Sequence, residues 1–148
     1  MNPAERILLT LWIGGMWTVG YLVVPTLFQM LDSRLLAGAI AGRLFTILSY
    51  IGILSAVVLI AGQLFRAPVP WKRNWRLGVL AVMLVILLIG QFGLQPQMAA
   101  LKAQGLTDPA IAARFGRLHG ISSALFLVNS LLGLGLVIFG LKAEKERV

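Results

Sequence analysis

The sequence predicts an all-α integral membrane protein with four transmembrane helices. Only 12% of its residues are charged and 59% are hydrophobic, whereas a soluble domain carries about 25% charged residues to cover its surface. Four stretches contain no Asp, Glu, Lys or Arg, and each exceeds the roughly 20 residues that a helix needs to cross the hydrocarbon core. These stretches are Ile7–Leu31, Leu44–Phe65, Leu77–Leu101 and Leu118–Leu141. Helices satisfy their own backbone hydrogen bonds, which lipid cannot do.

The uncharged stretches also set the order of the spans within a single domain over 1–148. The first span follows a short charged segment and lacks a small-residue cleavage site, so we expect it to be retained rather than removed as a signal peptide. The loop between the second and third spans contains Pro68 and Pro70, which predict a stiff turn. The spans are predicted at about 7–30, 44–65, 77–98 and 118–141.

The two halves of the chain resemble each other at a fixed offset of 71 residues. AIAGR at Ala39–Arg43 returns as AIAAR at Ala110–Arg114, and Pro25 matches Pro96. Each half contains a span, a short amphipathic helix on the outer side and a second span, and both halves run in the same direction. The pattern therefore predicts two parallel-repeat hairpins related by an axis along the membrane normal.

Basic residues predict the orientation and the lipid contacts. The net charge is +8, and the positive charges lie between apolar runs, so we expect anionic lipid rather than nucleic acid as their counterpart. The side that holds both termini carries eight of the 13 Lys and Arg. The positive-inside rule then places both termini in the cytoplasm, across a bacterial inner membrane. The predicted headgroup contacts in the second loop are Arg66, Lys72, Arg73 and Arg76.

The fourth span carries a polar face that covers an arc of roughly 120° on a helix. The face contains His119, Ser122, Ser123, Asn129, Ser130 and Gly133, of which the first four are the site candidates. Such a face usually packs against neighbouring helices, and a solute path is the alternative. We expect the face to turn toward the first and third spans rather than toward lipid, because an unpaired amide near mid-membrane is costly. The expected partners of Asn129 are Gln91, Thr18 or a carbonyl freed by a proline.

Polar residues on the first and third spans add further candidates. Thr18, Tyr21 and Pro25 recur at helical spacing on the first span. Gln91 and Gln95 lie one turn apart on the third span, just before a proline that frees a backbone carbonyl. Helix packing or a structural clamp is the favoured interpretation of both groups, with a ligand site as the alternative.

Few side chains in this sequence are suited to catalysis or metal binding. The absence of Cys excludes disulfides, thiolate catalysis and cysteine-ligated clusters, and no nucleotide-binding or zinc-protease motif is present. All five carboxylates lie outside the uncharged runs, so we expect no enzyme, no proton relay and no cofactor. The candidate metal ligands combine thioether and imidazole groups, a combination that suits Cu(I). Its members are His119, Met30 and Met98.

Three stretches have a distinctive pattern: WIGGMW at Trp12–Trp17 with VPTLF at Val24–Phe28, AGAIAGRLF at Ala37–Phe45, and FGRLHGISS at Phe115–Ser123. They resemble the transmembrane protein 205-like family, whose bacterial members carry a domain of unknown function. The resemblance covers nearly the whole chain and implies a small four-helix membrane protein. Asn129 is similar to an Asn that often follows the LHGxS motif there. A fainter resemblance, through WIGGMW, is to copper-resistance membrane domains.

Three functions stay open from the sequence. The favoured one is a non-enzymatic membrane module, in the form of a homodimer, that moves or shelters a small solute or a lipid. The link of the family's namesake to platinum-drug resistance implies export or trafficking. The second function is the handling of copper or another metal, and the third is that of an accessory subunit that binds a partner membrane protein.

Overall fold

A computed structural model describes residues 3–65 and 75–142 and builds this part of the chain from helices. Four of them are long and apolar enough to cross a membrane, which confirms the predicted all-α, four-span architecture. The elements in chain order are α1 (Pro3–Trp17), a π-helical segment π1 (Thr18–Val23), α2 (Val24–Met30), α3 (Arg34–Leu64), α4 (Trp75–Leu88), a second π-helical segment π2 (Ile89–Leu94), α5 (Gln95–Gln104) and α6 (Pro109–Lys142).

The short outer-side helices differ from the sequence-based expectation, because they are not separate elements. Each is the first part of a long helix that continues into the following span. The Ser33 hydroxyl accepts a hydrogen bond from the Leu36 amide at 3.2 Å and caps α3, and Asp108 caps α6 through the Ala110 amide at 2.7 Å. At 1.5 Å per residue, α3 is about 46 Å long and overshoots a hydrocarbon core of about 30 Å.

The four spans pack in a closed ring. Helix α1 contacts α3 and α6, and α4 contacts the same two helices. Their shared core is apolar and consists of Leu9, Trp12, Ile13, Met16, Ala56, Leu59, Leu80, Met83 and Leu136. Gly133 allows the close approach of α6 to α1, because a Cβ there would collide with Ile13 and lie 3.2 Å from the end of Met83. The bundle is therefore closed by side chains rather than open as a pore.

The two π-helical segments recur at the same offset as the sequence repeat. They occupy 18–23 and 89–94, each directly before the segment that contains a proline at its start. The Val24 amide donates to the Val19 carbonyl, and the Gln95 amide donates to the Gly90 carbonyl, so both bonds span five residues instead of four. A proline clashes with the carbonyl four residues earlier and offers no N–H, and local widening to a π-helix relieves that clash. This recurrence supports the duplication of the hairpin.

The outer segments pair within each half. Helix α2 contacts α3, and α5 contacts α6. In the first half the Phe28 ring lies 3.8 Å from the Cβ position of Gly38, and in the second half Met98 and Leu101 are buried. Each half is therefore a hairpin, and contacts between α2 and α3 or between α5 and α6 hold together the end at which its two helices are joined.

Among the described residues, one carboxylate lies inside a helix, although all five were predicted to lie outside the spans. Glu5 is in the first turn of α1 and only 6% of its surface is exposed. The helix begins at Pro3, four residues before the uncharged run, and Glu5 is thereby part of it. The helix therefore extends beyond the predicted span at this end.

Candidate polar site between the first and fourth spans

A hydrogen-bonded cluster joins α1 and π1 to α6 at Ser130, which is fully buried. The Trp17 indole N–H donates to the Ser130 carbonyl at 3.2 Å. The Ser130 hydroxyl donates to the Leu127 carbonyl at 2.9 Å and is 2.7 Å from the Tyr21 hydroxyl. Because a serine has a single hydroxyl proton and Leu127 receives it, Tyr21 must be the donor to Ser130.

Asn129 is 1% exposed and lies directly beside Ser130. Its amide nitrogen donates to the Met16 thioether at 3.8 Å. Sulfur accepts but does not donate here, so this contact favours the amide orientation in which the nitrogen faces Met16. The expected partners, Gln91, Thr18 or a freed carbonyl, were wrong for this nitrogen, because the long Met16 side chain reaches it from the facing helix.

The oxygen of the same amide has no hydrogen-bond partner among the described residues. A carbonyl oxygen that loses water without gaining a donor is destabilising by about 1–3 kcal/mol. Most buried polar atoms in native proteins have a partner, and an exception needs an explanation. Asn129 Oδ1 is therefore the side-chain acceptor of this cluster that the described residues leave without a donor.

Aromatic rings line the outer edge of the cluster. The Phe126 ring contacts the rings of Tyr21 and Phe45, with centroids 5.8 and 5.2 Å apart. Trp17 and Tyr21 also contact each other, at 4.8 Å. Gly20 fits against Phe126, and a Cβ at this position would collide with the ring. The polar atoms of Asn129 and Ser130 thus adjoin an apolar, aromatic wall, a combination that is common in sites for small molecules.

The equivalent interface of the repeat, between the second and third spans, lacks the side chains of this cluster. At the offset of 71 residues, the counterparts of Asn129 and Ser130 are Val58 and Leu59, and the counterpart of Tyr21 is Phe92. Leu59 belongs to the apolar core. The backbone is therefore repeated, whereas the polar side chains at positions 129 and 130 are present at only one of the two equivalent interfaces.

The other polar candidates lie outside the cluster. Ser122 is half-buried and His119 is exposed. The Ser123 hydroxyl donates to the His119 carbonyl of its own helix at 2.9 Å, and the His119 ring stacks on Phe115 at a centroid distance of 5.9 Å. The candidates expected to face inward therefore range from buried Asn129 to exposed His119.

The remaining candidates of the first and third spans also take different positions. Thr18 and Pro25 are exposed, and Gln91 is half-buried. The Gln95 amide donates to the Thr46 hydroxyl at 3.4 Å, which links the third span to α3. Gln95 thus contributes to packing between the two halves rather than to the cluster around Asn129.

The candidate copper ligands differ in exposure. Met30 is 78% exposed at the end of α2, whereas Met98 is 8% exposed within the packing of α5. His119 is exposed on α6. Among the described residues, no three His, Asp or Glu side chains group closely enough to hold a metal ion.

Of the predicted headgroup contacts, only Arg76 falls within the described residues. It is half-buried, and its guanidinium carbon lies 6.0 Å from the centre of the Trp75 ring. Arg66, Lys72 and Arg73 lie outside the described residues.

Met16 was not predicted as a member of the cluster, whereas Ser130 belongs to the predicted polar arc of the fourth span and Trp17 lies beside the polar stripe of the first span. Met16 and Trp17 lie in the conspicuous WIGGMW stretch, and Ser130 directly follows Asn129. The spacing of Trp17 and Tyr21, one helical turn apart, was the available signal that both face one neighbour. Only the packing of α1 against α6 shows that this neighbour presents Ser130.

One family model matches residues 7–107, which is more than half of the chain. This range includes Trp17 and Tyr21 and ends before Asn129 and Ser130. No curated protein and no solved structure matches the chain. The chain belongs to the family described as a domain of unknown function, DUF4149.

Proposed function

We propose that this protein is a non-enzymatic membrane module that holds a small solute, or a group of a lipid molecule, at the polar cluster of Asn129 and Ser130. The observation that supports the proposal is the oxygen of the Asn129 side chain, which is buried without a donor. The resemblance to the transmembrane protein 205-like family supports the same class of function, since it implies export or trafficking.

Access to this cluster would run past Tyr21. Its ring is 43% exposed although its hydroxyl contacts buried Ser130. Tyr21 therefore connects the outside of the bundle with its polar interior. A molecule that approaches within the membrane would meet the aromatic rings first and the amide of Asn129 behind them.

Native mass spectrometry of the protein released from detergent tests the proposal. We expect the wild type to retain a small molecule or a lipid, and Asn129→Leu to lose it. Thr26→Val is a matched control, because it removes an exposed hydroxyl of the first span. Among the described residues, this hydroxyl donates a hydrogen bond to the Leu22 carbonyl of its own chain segment. An unoccupied wild type, or equal occupancy in Asn129→Leu, would overturn the proposal.

The setting of this module is part of the proposal. We place it in a bacterial inner membrane with both termini in the cytoplasm, because the side of the termini carries eight of the 13 basic residues. Anionic lipid is the proposed partner of the second loop. A homodimer would provide the space for solute movement that four packed helices do not enclose.

A further inference from the structure

We infer that the group bound at Asn129 is an uncharged hydrogen-bond donor, such as the hydroxyl or amide of a solute or lipid. The inference rests on the proposed function and specifies the chemistry of its ligand. It follows from which donors and acceptors of the cluster already form hydrogen bonds within the protein.

The hydroxyl and indole donors of the cluster are engaged. The Trp17 indole donates to the Ser130 carbonyl, Tyr21 donates to the Ser130 hydroxyl, and Ser130 donates to Leu127. The amide nitrogen of Asn129 donates one of its two protons to Met16. A ligand that offers only acceptors, such as an ether, a ketone or a carboxylate, could therefore accept only from the second N–H of Asn129 and would leave the amide oxygen of Asn129 without a donor.

The cluster also contains hydrogen-bond acceptors that can take a further donor. Asn129 Oδ1 has no donor among the described residues. The Tyr21 hydroxyl donates its hydrogen bond to Ser130, and its oxygen still has lone pairs that can accept one. The backbone adds one more, because the Val24 amide bonds Val19 instead of Gly20 and the next residue is a proline without an N–H. The Gly20 carbonyl therefore lacks its helical donor, and Gly20 packs against Phe126, one turn before Ser130.

Charge narrows the class of donor. The contacts of the cluster seen among the described residues are with Met16, Phe126 and Phe45, which are uncharged side chains. A cation at this site would lose its hydration without gaining a counter-charge, which is strongly unfavourable in a medium of low dielectric constant. A neutral hydroxyl or amide gains the bond to Asn129 without that penalty, and its apolar part can rest on the aromatic wall.

Four probes that share a hexyl chain test the inference: 1-hexanol, hexyl methyl ether, heptanoate and hexylammonium. The purified protein is kept in an amine-oxide detergent, whose headgroup carries no donor to compete. The shift of the thermal unfolding midpoint with probe concentration gives an apparent affinity for each compound. We expect the alcohol to bind about tenfold more tightly than the ether, as the loss of one hydrogen bond to a buried acceptor implies.

The variants locate the effect. Asn129→Leu should abolish the advantage of the alcohol, and Thr26→Val should keep it. Equal binding of alcohol and ether by the wild type, stronger binding of either ion, or an advantage that survives in Asn129→Leu would overturn the inference. If Asn129→Leu does not fold, the comparison of the four probes on the wild type still decides, because it needs no variant.

Failure of this inference is distinct from failure of the proposed function. A molecule retained in the wild type and lost in Asn129→Leu, together with no preference for the alcohol, refutes the donor chemistry and keeps the binding module. An unoccupied wild type that also discriminates among none of the probes refutes both.

Discussion

Gly52 is the position at which the packing of the bundle can be tested most directly. It lies in α3 and is buried between the first and third spans. A Cβ at this position would lie 2.8 Å from Trp12 Nε1, 2.9 Å from Leu87 Cδ1 and 3.2 Å from Trp12 Cε2. The Leu87 methyl can rotate away, but the indole of Trp12 is 2% exposed and held within the core. Gly52→Ala should therefore force the α1–α3 contact apart.

The expected change in the free energy of unfolding combines two opposing effects. Alanine in place of glycine stabilises a helix by about 1 kcal/mol, whereas overpacking a well-filled core is destabilising by about 1–3 kcal/mol. Gly42 in the same helix provides the reference, because a Cβ there meets nothing within 4 Å. Gly42→Ala should raise the free energy of unfolding by up to about 1 kcal/mol. Gly52→Ala should lie about 1–3 kcal/mol below Gly42→Ala, which isolates the overpacking term.

Unfolding of both variants in mixed micelles, titrated with sodium dodecyl sulfate and followed by circular dichroism, measures this difference. Equal free energies of unfolding for the two variants would refute the close contact of Trp12 with α3. A loss of stability in Gly42→Ala alone would refute the assignment of the open and the packed face of α3.

Three further predictions concern the cluster, the orientation and the lipid contacts. In a double-mutant cycle of Tyr21→Phe and Ser130→Ala, we expect a coupling free energy of about 0.6 kcal/mol, the average for interhelical bonds in membrane proteins; strictly additive effects would mean that the bond is absent. A reporter that is active only in the periplasm should be silent when fused after Val148, and its activity would reverse the proposed orientation. Neutralising the basic residues of the second loop should weaken binding to anionic liposomes by about 1 kcal/mol per residue near the surface, whereas an unchanged lipid preference would contradict the lipid contact. The residues to be neutralised are Arg66, Lys72, Arg73 and Arg76.

The number and order of the spans could be predicted from the sequence because desolvating a charge is so unfavourable that uncharged runs mark the membrane. The ends were less predictable. No strong helix breaker separates Arg34 from the second span or Pro109 from the fourth, so the outer segments continue as one helix each. The sequence pattern of apolar and polar residues changes there, but the backbone does not.

The candidate site was predicted in part. Asn129 was singled out because an amide among apolar residues requires an explanation. Its partner Met16 was not found, since a thioether is an unremarkable core side chain and only the packing of α1 against α6 brings it within reach. The π-helical segments were also missed, because a proline in a span predicts a freed carbonyl without stating how the helix rearranges around it.

The matched π-helical segments also carry information about the order of events in the history of this chain. If the two halves arose by duplication, a feature at equivalent places in both, such as the five-residue bonds of Val24 and Gln95, dates from the single hairpin that preceded it. A feature in one half only, such as Asn129 opposite Val58, arose afterwards or was lost from the other copy. The ancestral hairpin would then have functioned as a pair of identical chains with two equivalent interfaces. Fusion into one chain would have freed those interfaces to diverge, so that one carries the cluster of Asn129 and Ser130 while the other has Val58 and Leu59 at the equivalent positions.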